Sequence, residues 1–178
     1  MGESEQLKIR ELNHTEILQT IVKGVSPETY VEVGLGGGAT INQIQPFVTR
    51  AIGIDVRDCK SCLNEGIEFY HMSSDNFYNK YKGTMELDFV FIDGSHDYAQ
   101  VLRDFLNYSS MTKDQGIIAM HDTHPRKDKT GSHQCGMCWK VAELIRNKYR
   151  DEFEIFTVPQ HEGLSLIRKT NRQLIWGK

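Results

Sequence analysis

The sequence lacks any apolar run approaching the roughly 20 residues of a membrane-spanning helix. Its opening residues, Met1-Gly2-Glu3-Ser4-Glu5-Gln6, carry no secretory apolar stretch, and Gln6 stands where a myristoylation signal needs Ser or Thr. Excess charge of one sign is also missing. Twenty-one basic against 24 acidic residues leave a net charge of −3, which argues against a general nucleic-acid or anionic-membrane surface. There is no internal repeat, low-complexity segment or Gly/Ser/Pro-rich linker. At 178 residues the chain is sized for one domain, with little room for a separate substrate domain. These absences predict a single cytoplasmic domain over 1–178, divided into an amino-terminal helix (1–24) and a core (29–169).

What is present alternates. Leu7, Ile9, Leu12, Ile17, Leu18, Ile21 and Val22 predict a helix from Leu7 to Val22, stopped by Gly24 and Pro27. Strands are expected at Tyr30–Val33, Ala51–Asp55, Ile67–Tyr70, Leu87–Asp93 and Gly116–Met120. Helices fit between them at Ala39–Gln45, Asp75–Tyr81, Tyr98–Tyr108 and Trp139–Tyr149. Two closing strands, Glu154–Val158 and Leu164–Ile167, form a hairpin. This pattern predicts an α/β doubly wound, mostly parallel sheet of seven strands with an antiparallel last strand. In such sheets ligands sit beyond the carboxyl ends of the strands, so each loop after a strand is a place for chemistry.

The first such loop is Glu32-Val33-Gly34-Leu35-Gly36-Gly37-Gly38, where glycines let the backbone approach a ligand closely. Asp55 ends the next strand, nineteen residues beyond Gly36, placed to accept both hydroxyls of a ribose. Gly34-x-Gly36-x-x-Ala39 also fits a nicotinamide or flavin cofactor. Glu32, placed to reach an ammonium group, and the short chain argue the other way. Glu-x-Gly-x-Gly-x-Gly followed by Asp55 resembles the first two motifs of class I S-adenosylmethionine-dependent methyltransferases. The resemblance implies that Glu32, Gly34, Gly36 and Gly38 hold the methionine portion and Asp55 the ribose. Ser73 and Ser74 then stand near the adenine, although Met72 and Ser73 replace the Gly and Asp often found there.

The most distinctive segment is Phe91-Ile92-Asp93-Gly94-Ser95-His96-Asp97-Tyr98, followed by Met120-His121-Asp122-Thr123-His124. Together they resemble small methyltransferases with an Asp-Gly-x-His-x-Tyr segment and a later His-Asp-Thr. They also resemble the metal-dependent O-methyltransferases. The likeness runs from about Tyr30 to Lys169. It implies that Asp93 and Asp122 hold magnesium or another divalent cation, with Asp93 also bordering the cofactor. Thr123 replaces the usual asparagine ligand, a loss that His121 or His124 is placed to make good, shifting preference towards a transition metal. His96 falls three residues after Asp93, where those enzymes carry a lysine as general base, and its ordinary pKa of about 6.5 suits that task. The bland alternative stays open: strand-end acids that only order the cofactor, and a structural His96. His14, His71 and His161 are expected to be ordinary residues.

Cys59-x-x-Cys62 and Cys135-x-x-Cys138 remain. Pairs of this kind favour metal or redox work over structural disulfides. A joint structural zinc site is one expectation and free thiols another, with 72 residues between Cys62 and Cys135. His133 is placed to join either set. The loop Thr123–Gln134 carries Arg126, Lys127 and Lys129 and reads as a solvated surface or as a lid over the acceptor. The expected function is methyl transfer from S-adenosylmethionine to a hydroxyl of a small molecule or sugar. So bare a core leaves the acceptor site either open or completed by a second copy of the chain.

Overall fold

A computed structural model describes residues 11–131 and 134–170. Asn13 starts the first helix with a reciprocal capping box. Its side chain accepts from the Glu16 backbone N–H at 2.9 Å, while the Glu16 carboxylate accepts from the Asn13 N–H at 3.0 Å. Helix α1 (His14–Val25) therefore begins later than apolar spacing suggests, because Glu11 and Leu12 lie ahead of the cap. The expected turn from Leu7 to Arg10 lies outside the described residues. Gly24 does not stop the helix; it ends at Ser26, in the left-handed region at φ 49°.

The remaining elements are β1 (Thr29–Val33), α2 (Ala39–Ile44), β2 (Arg50–Asp55), β3 (Glu68–His71), α3 (Ser74–Tyr81) and β4 (Leu87–Ile92). They continue with α4 (Tyr98–Met111), β5 (Thr112–His121), α5 (Cys138–Lys148), β6 (Phe153–Val158) and β7 (Leu164–Lys169). The seven strands lie in the order β3-β2-β1-β4-β5-β7-β6, and β7 runs antiparallel to both β5 and β6. β5 starts four residues earlier than its apolar run, since Thr112 pairs with Leu87 across a register shift. No helix among the described residues is long and apolar enough to cross a membrane.

Strand alternation divides the core between the two faces of the sheet. Val31, Val33, Ile52, Ile54, Val90 and Ile92 pack with Phe77 of α3, Val101 and Phe105 of α4, and Val141 of α5. Tyr30, Phe89 and Phe91 pack on the opposite side with Leu18 of α1 and Ile41 and Ile44 of α2. β1 lies between β2 and β4, so the connections diverge there and a crevice opens at the carboxyl ends of the strands.

Candidate active site

Gly34 closes β1 with φ +86°, and a Cβ there would overlap Gly94 Cα and Asp93 O and stand 2.6 Å from Gly94 N. The loops after β1 and β4 therefore touch through backbone alone. Gly36 and Gly38 are also left-handed, at φ +55° and +75°. Asp55 fastens this loop: its Oδ2 accepts from Leu35 N at 2.8 Å, and its Oδ1 accepts from Arg57 N at 2.8 Å. Burial alone would raise its carboxyl, but bonds from Arg57 and Leu35 outweigh that and hold it below the usual range. The Arg57 guanidinium, largely exposed, also lies 3.3 Å from Asp55 Oδ2.

Glu32 takes a different position from the one expected of a methionine ligand. It shares a face with Tyr30, accepts that hydroxyl at 2.7 Å, and is 2% exposed beneath the start of α2. Burial pushes its carboxyl up to about 8, even though bonds from Tyr30 and from the Ile41 backbone pull it down.

A cavity of about 490 Å³ lies along the carboxyl ends of β1, β2 and β4, within the usual range of about 300–1,000 Å³ for small-molecule sites. Gly34, Asp55, Ser73, Ser74 and Asp93 line it; Glu32, Gly36 and Gly38 do not. Polar residues of its wall that were not singled out from sequence include Arg57 after β2 and Gln100 and Asp104 of α4. The Gln100 amide donates to Asp104 Oδ1 at 3.0 Å and to Ser74 Oγ at 3.3 Å. Asp104 is 1% exposed, and burial raises its carboxyl despite bonds from Ser74 and Gln100. A charged residue on the buried helix face of Val101, Phe105 and Tyr108 was the available sequence signal.

Beside this cavity β4 and β5 bring four polar side chains together. His121 Nδ1 lies 3.2 Å from Asp93 Oδ1 and 3.5 Å from Asp122 Oδ1. His121 Nε2 lies 3.0 Å from the His161 carbonyl, which only accepts, so Nε2 carries a proton. Nδ1 therefore either binds a second proton or points a lone pair at two carboxylates. Burial opposes protonation there, but Asp93 and Asp122 outweigh it, and the His121 pKa is raised. His96 Nε2 lies 3.0 Å from Asp122 Oδ2; that bond raises the His96 pKa against burial. Burial works against the Asp122 charge, but His96 and His121 more than compensate, leaving its pKa lowered.

Residues 23–123 match a family described as a methyltransferase domain, which is more than half of the chain. The chain is a class I S-adenosylmethionine-dependent methyltransferase. It is similar in structure to a Podospora anserina methyltransferase bound to SAH (S-adenosylhomocysteine), with TM-score 0.68 and 13% identity over 88% of this chain and 78% of that one. An O-methyltransferase from Bacillus cereus in complex with SAH aligns with TM-score 0.69 and 14% identity, covering 92% and 84%. MycE methyltransferase from the mycinamycin pathway, in complex with Mg and SAH, aligns with TM-score 0.61 and 14% identity, covering 89% and 49%. Among curated proteins, none matches in sequence.

Other side chains of this methyltransferase depart from expectation. Thr123 turns inward and accepts from the Ser165 hydroxyl at 2.8 Å, so its oxygen is spent inside the fold. His121 converges on the acids, whereas His124 is exposed and belongs to no donor group among the described residues. His161 is exposed and meets His121 only through its backbone carbonyl, whereas His14 lies closer in. The His14 ring packs 4.2 Å from that of His121, its buried Nδ1 has no partner among the described residues, and burial lowers its pKa.

The two cysteine pairs of the methyltransferase do not share a donor group among the described residues. Cys59 Sγ contacts Gly36 O and Arg57 O after β2, whereas Cys138 Sγ contacts Ser95 O after β4. Neither Cys59 nor Cys62 enters the donor group that holds Cys138, so the two pairs do not close on one ion. The joint zinc site of Cys59, Cys62, Cys135 and Cys138 is therefore corrected, and all four thiols are free. Burial and the Asp122 charge push Cys135 and Cys138 up to about 12. His133 lies outside the described residues. The cationic loop folds back instead, with Cys135 N donating to Lys129 O at 3.1 Å, and among the described residues it contributes none to the cavity wall.

Proposed function

We propose that this methyltransferase acts on a hydroxyl of a small molecule or sugar, with a divalent cation held by Asp93, His121 and Asp122. The observation that carries the reading is the convergence of those three side chains, whose donor atoms all lie within 4.8 Å of one another. The set fits a cation on its own chemistry. His121 Nε2 is committed to the His161 carbonyl, so Nδ1 is the nitrogen facing two carboxylates. Magnesium prefers oxygen donors, and the imidazole extends the choice to manganese, iron or zinc. A bound cation supplies orientation and acidity to the acceptor hydroxyl. The magnesium and SAH of MycE, and the O-methyltransferase of Bacillus cereus, support the same reading.

The chain's own residues do the rest. Asp55 accepts the ribose hydroxyls once Arg57 swings aside, and Gly34 lets the ligand lie against bare backbone. Ser73, Ser74, Gln100 and Asp104 supply donors and acceptors at the adenine end. Glu32 supports the loop from below and does not reach the ligand's ammonium, while Gly36 and Gly38 shape the turn. Asp122 holds the proton on His96 Nε2, which leaves Nδ1 with the lone pair that takes the acceptor's proton. A metal-independent reaction is the second reading, favoured by one observation: His96–Asp122 at 3.0 Å is already a paired base and carboxylate.

The test is transfer from labelled S-adenosylmethionine to a panel of phenolic and sugar hydroxyls, with and without chelator. Loss of transfer in chelator, restored by magnesium or manganese, is expected. Asp93→Ala and Asp122→Ala should abolish the metal-stimulated rate while SAH binding largely survives. Transfer unchanged by chelator selects the metal-independent reading.

A further inference from the structure

Asp122 faces two ways. Its Oδ1 is turned to His121 and Asp93, and its Oδ2 to His96. On the second side the donor atoms of His96, Asp122 and Cys138 also lie within 4.8 Å of one another. Cys135 stands three residues before Cys138 on the same turn, near enough for the Asp122 charge to push its thiol up. This corner is built, not incidental. Gly136, at φ +52°, lies so close to His96 that a Cβ would overlap its carbonyl O and stand 2.6 Å from its Cβ. Met137 N donates to His96 O at 3.0 Å. The turn carrying both cysteines is thus clamped onto the histidine by glycine and by a backbone bond. Cys135 and Cys138 are buried, as is Asp122.

We propose that His96, Asp122 and Cys138, with Cys135 completing the set, form a second metal site that takes zinc or a similar thiophilic ion and shuts the enzyme off when filled. Two sulfurs, one imidazole and one carboxylate are a zinc donor set, and they contrast with the sulfur-free set on the other side of Asp122. Zinc bonds of about 2.0–2.3 Å give tetrahedral edges of roughly 3.4–3.8 Å, and the donor atoms of His96, Asp122 and Cys138 already lie within 4.8 Å of one another. Binding releases each coordinating thiol's proton to solvent. Zinc takes the lone pair of His96 Nε2, so the single ring proton of neutral imidazole moves to Nδ1. The nitrogen that serves as base is then capped, and Asp122 is withdrawn from the first site. Metal binding stands apart from the proposed reaction; the inhibition rests on it.

Cobalt(II) titration of the metal-stripped full-length protein reads the binding directly. One equivalent should produce a thiolate-to-cobalt charge-transfer band in the near ultraviolet, bleached by one equivalent of zinc. The band should vanish in Cys138→Ser, fall by about half in Cys135→Ser, and persist in Cys59→Ser, Cys62→Ser and Asp93→Ala. A wild-type protein with no such band overturns the site whatever the variants do. So does a band that survives Cys138→Ser or depends on Cys59. In transfer assays at saturating magnesium, zinc should inhibit the wild type at least tenfold more potently than Cys138→Ser. Equal sensitivity overturns the inhibition, and the spectrum stays readable even if the enzyme proves metal-independent.

Discussion

Replacing Glu32 with Gln should stabilise the protein at neutral and alkaline pH by removing a buried acid that resists ionisation. Glu32 is 2% exposed, and burial raises its carboxyl from 4.5 to about 8. Between those values the native state keeps a proton that the unfolded chain has released. The unfolded state then binds fewer protons, so stability falls as pH rises through this window. The full shift is about 3.5 units, and at about 1.4 kcal/mol each it sets a ceiling of about 5 kcal/mol, reached above pH ~8. By pH ~6 the loss is at most about 2 kcal/mol. Glutamine keeps an oxygen to accept the Tyr30 hydroxyl and has no charge to gain. Urea denaturation of both proteins from about pH 5 to about pH 8.5 isolates the effect, because contributions from other groups cancel in the difference. The gap should widen in favour of the Gln variant with rising pH. A gap that stays flat would refute the reasoning, since Glu32 would then ionise in the folded protein at the same pH as in the unfolded chain.

Gly34→Ala should destabilise by about 3 kcal/mol or more, combining a left-handed backbone with overlap against the Gly94 loop; urea titration of a variant within about 1 kcal/mol of wild type would contradict the packing. Asp55→Asn should weaken SAH by roughly 10- to 100-fold, the worth of a charged hydrogen bond, while the fold survives. Calorimetry showing an affinity within about twofold would remove Asp55 from the ribose. Asn13→Ala should cost about 1 kcal/mol by deleting the capping box of α1, read as a lower urea midpoint with unchanged slope.

The parts legible in sequence are those where one residue type serves one backbone need. Glycines at 34, 36 and 38 occupy left-handed positions, and Asp55 is the acid that such a loop requires at the next strand end. The β-strands announce themselves as short apolar runs because both faces of the sheet are covered. Glu32 is more instructive. Its motif position suggested a ligand contact, whereas in the structure it shares the face of Tyr30, accepts that hydroxyl and is not part of the cavity wall. Gln100 and Asp104 reach the cavity because α4 packs against the start of α3, where Gln100 meets Ser74, a long-range contact with no local signal beyond one charge on an apolar face. His14 depends on where α1 crosses the sheet. The cysteine pairs look alike in sequence and part company because one packs on the glycine loop and α2, the other beside the loop after β4.

The pivot of the site is the backbone of Asp122. A residue continuing β5 in extended geometry would point its side chain to one face of the sheet. Asp122 instead turns into the left-handed region at φ 58°, a conformation costing roughly 1–2 kcal/mol for most residues and least for Asp and Asn. What holds it there is the β7 entry. Thr123 N donates to Gly163 O, His124 N donates to Glu162 O, and Thr123 is bonded to Ser165, which in turn meets Thr157 at 2.8 Å. Gly163 permits that approach, since a Cβ on it would overlap His124. Thr123 in place of asparagine is thus more than a lost ligand. By anchoring the turn inside the fold, it lets the preceding carboxylate stand between His121 and His96 with one oxygen for each. The strain at Asp122 is offset by the hairpin behind it, and the result is one acid serving two neighbouring donor sets.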